Sequence, residues 1–283
     1  MPKAPPAGRA GLMRRYQGRG LHGEVVDTMG RRIASGWYRP GDQLLCEPLE
    51  AELQVSQTVV REALKVLAAK GLVEPRPKRG TVVRPREAWS LLDPDLLYWR
   101  STEGPEAGFL EDLAEVRFIV EPEAVRLAAQ RRTPTDIVAI DAALRAMASA
   151  GKSSASVGSN ELVEADLAFH RALLAAAHNE LLSRMEPIIG AGLRMRDQLV
   201  HGEGRGPDAL LEHEAVVEAV RAGDAEVAAS ATRRLLRRAV YDAAALLEQQ
   251  AAPHQKRRAN GRGAKAGQRL AKTARLRTEA CRS

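Results

Sequence analysis

Residues Gly41–Pro85 read GDQLLCEPLEAELQVSQTVVREALKVLAAKGLVEPRPKRGTVVRP. A short helical pattern over about 47–53 meets Val55-Ser56, and a second pattern follows over about 57–69. Ser56 suits the N-cap of that second helix, because its hydroxyl can accept from the unpaired N–H groups of the first turn. Gly71 suits its C-terminal stop, where a left-handed residue is favoured. Val73 and Val82-Val83 flank the basic run Pro75-Arg76-Pro77-Lys78-Arg79-Gly80, which predicts a short hairpin. Helix, turn, helix and hairpin in this order predict a winged helix-turn-helix, a device that lays its second helix in the DNA major groove.

The spacing assigns roles within that module. Gln57, Thr58 and Arg61 lie near the N-terminal end of the second helix, just after Ser56, where side chains reach base edges. Arg61 can pair bidentately with guanine or clamp a phosphate, and Gln57 can read adenine. Val60, Leu64 and Leu67 fall on the opposite, core-facing stripe. Lys78, Arg79 and Gly80 at the hairpin tip suit a minor-groove or phosphate contact. The competing reading of so short a pattern is a helical protein-interaction domain.

Outward from this stretch, Leu21, Val25, Val26, Met29 and Ile33 recur at helical spacing and predict a helix over about 20–35. Residues 1–18, with Pro5, Pro6 and several Gly and Arg, are expected to be disordered, so the DNA-binding domain is placed at 19–86. A linker follows at 87–106, rich in Trp89, Leu92, Leu96, Leu97 and Trp99 around Pro94, which predicts packing rather than a loose tether. From about 107 to 250 every pattern is helical, with helices expected near 107–131, 134–150, 158–177, 179–201, 207–221 and 224–249. Residues 251–283 are Lys/Arg/Ala/Gly-rich and expected to be a disordered basic tail. The fold class is therefore mainly α: a winged helix-turn-helix with a small β-hairpin, followed by an all-α bundle.

Charge divides the chain the same way. Residues 1–90 carry 16 Lys/Arg against 9 Asp/Glu, residues 91–252 carry 17 against 26, and residues 253–283 carry 10 against 1. Two basic ends thus flank an acidic middle, and only the ends are drawn to a phosphate backbone. No run of about 18 apolar residues predicts a membrane span, and no apolar core follows the basic N-terminus as a secretory signal requires. The two cysteines, Cys46 and Cys281, fit a reduced, cytoplasmic setting better than a disulfide framework.

Several residues of the opening stretch together resemble the winged-helix domain of the GntR superfamily of bacterial regulators. They are Gly41, Leu44, Glu47, Leu53, Val55-Ser56, Val60-Arg61-Glu62-Ala63-Leu64, Leu67, Gly71-Leu72-Val73 and Arg79-Gly80-Thr81-Val82-Val83. Two departures stand out. Gln57 replaces the arginine usual after Val-Ser, and Glu47-Pro48-Leu49 replaces the usual Glu-Arg-Glu-Leu, one residue short. Both missing arginines are associated with operator contact in the family, so the resemblance implies the binding mode but not the usual half-site.

In the acidic region, Asp166 and His170 are four apart on one helix face, and His213 belongs to a later helix. One carboxylate and two imidazoles suit Zn²⁺ or a similar divalent ion, although an Asp-x-x-x-His pair alone is more often a surface pair or a core histidine. Residues 107–240 resemble the all-helical effector domain, or FCD domain, of the FadR subfamily. The resemblance rests on Glu115-Val116-Arg117 with Glu121, on Asp166-Leu167-Ala168-Phe169-His170, on His178-Asn179-Glu180-Leu181-Leu182, and on His213 with Gly223-Asp224. It implies a metal held by Asp166, His170 and His213, with Leu235 at the usual fourth ligand position. It also implies effector contacts from Arg117, Glu121 and Asn179. Arg117 can grip a carboxylate through two parallel hydrogen bonds, or can pair with Glu121, its i+4 neighbour, as a structural bridge.

The junction from Trp89 to Trp99 and the run ending at Leu235 further resemble galactonate-repressor-like members that sense sugar acids. The combined expectation is a homodimeric, cytoplasmic transcription factor, in the sense of a repressor of a catabolic operon. It would bind a palindromic double-stranded operator and answer to a small carboxylate, a sugar acid such as galactonate. It is not expected to be an enzyme. The alternatives are a metal-dependent enzyme built on the helical region and a nucleoid-type architectural protein suggested by the basic tail.

Overall fold

The computed structural model describes residues 20–103, 107–152, 160–199 and 208–251. The two tails expected to be disordered, and the breaks expected near 151–159 and 202–207, lie wholly or largely outside the described residues. The chain forms two compact units, divided between Glu103 and Gly104.

The first unit begins with α1 (Gly20–Ala34), whose stripe of Val25, Val26, Met29 and Ile33 is buried. Leu21, expected on that stripe, is exposed at the helix start. The short strand β1 (Gln43–Leu44) precedes α2 (Cys46–Leu53), which ends at Gln54 in the left-handed conformation. Ser56 then caps α3 (Gln57–Ala69), its hydroxyl accepting from the Val59 N–H at 3.5 Å. At the other end of α3, Gly71 N–H bonds to Ala68 O and Leu72 N–H to Leu67 O. This is the two-bond Schellman stop, with Gly71 at φ +77°, where a Cβ would also press on the Ala88 carbonyl.

Strands β2 (Val73–Arg76) and β3 (Gly80–Val83) form the antiparallel hairpin, in register from Val73↔Val83 to Arg76↔Gly80. Strand β1, unforeseen in the sequence pattern, pairs with β3 through Gln43↔Val82 and Leu44↔Thr81 and widens the hairpin to a sheet of order β1-β3-β2. Two residues are too few for an alternating pattern to register.

The expected linker at 87–106 is in large part structure of the first unit. A 3₁₀ turn at Arg86–Ala88 leads to α4 (Pro94–Thr102), capped by Asp93 and started by Pro94. Lys70 holds this segment through Asp93 at 2.9 Å and Asp95 at 2.6 Å. Trp99 is fully buried, and its indole donates to Asp27 Oδ1 at 2.9 Å. It occupies a notch at Gly30, where any Cβ would lie 2.5 Å from the ring. Trp89, Leu96 and Leu97 are buried as expected, but Leu92 is exposed.

The second unit is all helix in its described residues: α5 (Ala107–Arg131), α6 (Pro134–Lys152), α7 (Asn160–Ala176), α8 (Glu180–Ser183), α9 (Glu186–Leu199), α10 (Asp208–Ala222) and α11 (Ala225–Ala251). Helix α5 packs on α7, α9 and α11, while α6 packs on α7 and α10 on α11. The single helix expected over 179–201 is broken into α8 and α9. Pro187 explains the break: it lacks an N–H and its ring would clash with the Ser183 carbonyl of a continuous helix, yet it is tolerated in the first turn of α9. Residues 188–195 of α9 are buried on every side, so α9 is the central helix of this unit.

Candidate nucleic-acid interface and metal centre

In the first unit, Val60, Ala63, Leu64 and Leu67 turn one face of α3 into the core. Gln57, Thr58 and Arg61 are exposed, as are Ser56, Lys78, Arg79 and Gly80. The Ser56 hydroxyl is engaged as the cap of α3, which sets where the exposed face starts. At the hairpin tip Lys78 takes φ +63° and Gly80 φ +73°. A Cβ at Gly80 would meet Leu45 Cδ2 at 3.0 Å, so position 80 favours glycine on two grounds. The tip thereby offers two cations on a tight turn.

In the second unit, α7 presents Asp166 and His170 one turn apart, and α10 brings His213 against them. All three side chains are buried, and their candidate ligand atoms lie within 4.8 Å of one another. Asp166 Oδ1 is 3.4 Å from His170 Nε2 and 3.3 Å from His213 Nε2. Phe169 stands edge-on to both imidazoles, with centroids 5.7 Å from His170 and 5.0 Å from His213, and so spaces the rings.

Helix α5 adds Arg117 and Glu121, also buried. Glu121 Oε2 lies 2.7 Å from His170 Nδ1, and Arg117 Nε donates to Glu121 Oε1 at 2.5 Å. Arg117 Nη2 is 3.5 Å from His170 Nε2. Burial alone would push the Glu121 carboxyl up, but Arg117 and His170 overcome it and hold the group down at about 2. Burial likewise works against charge on His170, and Glu121 with Asp166 outweighs it, raising the imidazole above its ordinary value.

The donor set fits a divalent cation. Two donors each about 2.1 Å from one ion lie about 3.0 to 3.4 Å apart at octahedral or tetrahedral angles, the spacing Asp166 keeps to both histidines. A proton on His170 Nδ1 facing Glu121 leaves Nε2 free as a ligand, the usual outer-shell arrangement of a metal-binding histidine. Arg117, Glu121 and Asp166 sum to one negative charge with neutral histidines, so a cation completes a buried cluster rather than overloading it. Leu235, at the expected fourth position, is packed in an apolar cluster with Phe169 and Val216 and offers no donor.

Asn179 is not brought into this cluster. It lies beyond the end of α7, where its side-chain oxygen accepts from Leu181 and Leu182 N–H and caps α8. Arg117 forms the structural bridge with Glu121 while also facing His170. Sequence reasoning missed Arg194, a buried arginine on α9 whose guanidinium folds over Gly190. The signal was there: two glycines and an arginine within a helix apolar enough to be central. A Cβ at Gly190 would lie 3.1 Å from Arg194 Nη1, and one at Gly192 would lie 3.2 Å from Arg117 Cδ. The glycines, unfavourable inside a helix, make room for two guanidiniums.

Residues 21–83 match the family described as bacterial regulatory proteins, gntR family, and residues 112–238 match the FCD domain. The galactonate operon transcriptional repressor of Escherichia coli K12 is 34% identical over 225 residues, covering 75% of this chain and 95% of the repressor. The Glc operon transcriptional activator of the same organism is 31% identical over 163 residues, 56% of this chain and 61% of its own. A solved Listeria monocytogenes structure, titled for Lar control of the agr system, superposes with a TM-score of 0.55 at 18% identity, covering 80% of this chain and 98% of that one. At that identity it speaks for the fold alone. The matched relatives are transcriptional regulators, not enzymes. Among the described residues no helix is long and apolar enough to cross a membrane.

Proposed function

The chain belongs to the gntR family of bacterial regulatory proteins and is a DNA-binding transcriptional regulator, and from that premise we propose that it is a homodimeric repressor of a catabolic operon, lifted from its DNA by a small sugar acid such as galactonate. The observation that carries the effector half of this reading is the buried cluster of Asp166, His170 and His213 beside Arg117. When bound there, a divalent ion supplies a fixed positive charge and open positions for an oxygen ligand. Arg117 supplies a guanidinium suited to the same carboxylate, and Glu121 keeps both Arg117 and His170 in place. The galactonate repressor's similarity over nearly its whole length supports a hexonate as the effector and repression as the sign. A two-fold dimer matches a palindromic operator in the cytoplasm, with Gln57, Thr58 and Arg61 in the major groove and the Lys78–Gly80 tip on the backbone.

The activator among the relatives supports a second reading of the sign alone, in which the same effector recruits rather than releases. The ligand site is tested by metal analysis of purified protein with calorimetry against a panel of aldonates. One ion per chain is expected, with both ion and aldonate binding lost in Asp166→Ala and His213→Ala. Metal-free wild type that binds the aldonate undiminished would sink the metal site.

A further inference from the structure

The buried residues of α3 define its outward stripe. At 3.6 residues per turn, the line opposite Val60, Ala63, Leu64 and Leu67 runs through Thr58, Glu62 and Lys65, with Arg61 at its flank. All four are exposed. The helix thus offers DNA a carboxylate near the middle of its reading face. An isolated carboxylate there is repelled by the phosphates and is tolerated only if matched. Lys65 provides the match: its Nζ donates to Glu62 Oε1 at 2.7 Å, with the two side chains 72% and 51% exposed. The ammonium also holds the Glu62 carboxyl below the usual carboxylate range, so the acceptor stays ionised. An exposed pair of this kind adds little to helix stability, so folding does not account for it.

The pair sets an acceptor beside a donor. In the major groove a C·G base pair presents the complement, the cytosine N4 amino group beside guanine O6 and N7. Resting on the DNA-reading role of α3, we propose that Glu62 and Lys65 together read one C·G pair in each operator half-site. Glu62 accepts from cytosine N4, and Lys65 donates to the guanine. This shifts reading along the helix from its first residue, where Gln57 stands, to its second turn.

The test is selection of the full chain against a duplex library with a randomised core of about 20 bp, spanning two half-sites. Wild type is expected to enrich a palindrome with C·G at one defined position of each half. Glu62→Gln puts an amide there, which matches adenine N6 and N7, so preference at that one position should move toward A·T by about tenfold. Lys65→Ala should flatten preference at the same position and leave the rest of the site intact. Both side chains are exposed, so unchanged thermal melting is expected of both variants. If both variants enrich the wild-type sequence with no more than a uniform change in affinity, the pair reads no base. A wild type that enriches no sequence would instead defeat the DNA-reading role of α3 itself.

Discussion

Glu121 governs what His170 can do. Its carboxylate faces Nδ1, which leaves Nε2 toward Asp166, and the same carboxylate takes the Nε–H of Arg117. One buried side chain thus orients a ligand and a guanidinium together. Replacing it with Gln keeps the shape but lets the amide face Nδ1 with either end. Glu121→Gln should therefore lower metal affinity about 10- to 100-fold, measured by competition with a chelating dye. Affinity equal to wild type would mean that Glu121 serves only the bridge to Arg117.

Helix α6 shows how an element is fixed at one end. Thr133 Oγ1 accepts from Asp136 N–H at 3.3 Å, and Asp136 Oδ2 accepts from Thr133 N–H at 2.7 Å, a reciprocal capping box. His178, beyond α7, approaches the same oxygen at 2.8 Å. Burial pushes the Asp136 carboxyl up, but Thr133 and His178 prevail and the folded group lies below its ordinary value. A depressed folded value stabilises above the unfolded carboxylate range and is lost as pH falls through the folded value. Asp136→Ala should therefore cost about 1 kcal/mol near pH 7, and less as the pH falls through the depressed value of the folded carboxyl, read by urea melts. A loss that does not change with pH would assign the effect to packing.

The elements differ in how far they could be read from sequence. Helix α3 was legible at both ends because Ser56 and Gly71 perform their stops locally, through bonds to neighbours a few residues away. Asp166 and His170 were legible as a pair because one helix turn separates them. The meeting with His213 rested on a family resemblance, since nothing local aims α10 at α7. Strand β1 was invisible, being a two-residue partner chosen by β3. Asn179 entered the expected effector set through the family resemblance, and the structure places its side chain as the cap of α8. Arg194 carried a local signal in the two glycines beside it, but the burial of its charge is a property of the packed unit.

At the scale of the molecule, the chain separates reading DNA from holding a ligand. The winged helix with α4 forms one unit, and the Asp166–His170–His213 cluster belongs to the other. An effector shifts DNA binding only through a difference in its affinity for the DNA-bound and free states. A sugar-acid switch therefore requires that the ligand site and the DNA-reading site be reciprocally coupled. The direct measurement is a gel shift of the metal-loaded protein on the DNA upstream of its own gene, titrated with galactonate and related aldonates. The expected result is a retarded complex that one aldonate dissolves, weakening DNA binding by about tenfold or more, with no response in His213→Ala. A complex that no aldonate alters would contradict the sugar-acid switch, and release that persists in His213→Ala would contradict its metal centre.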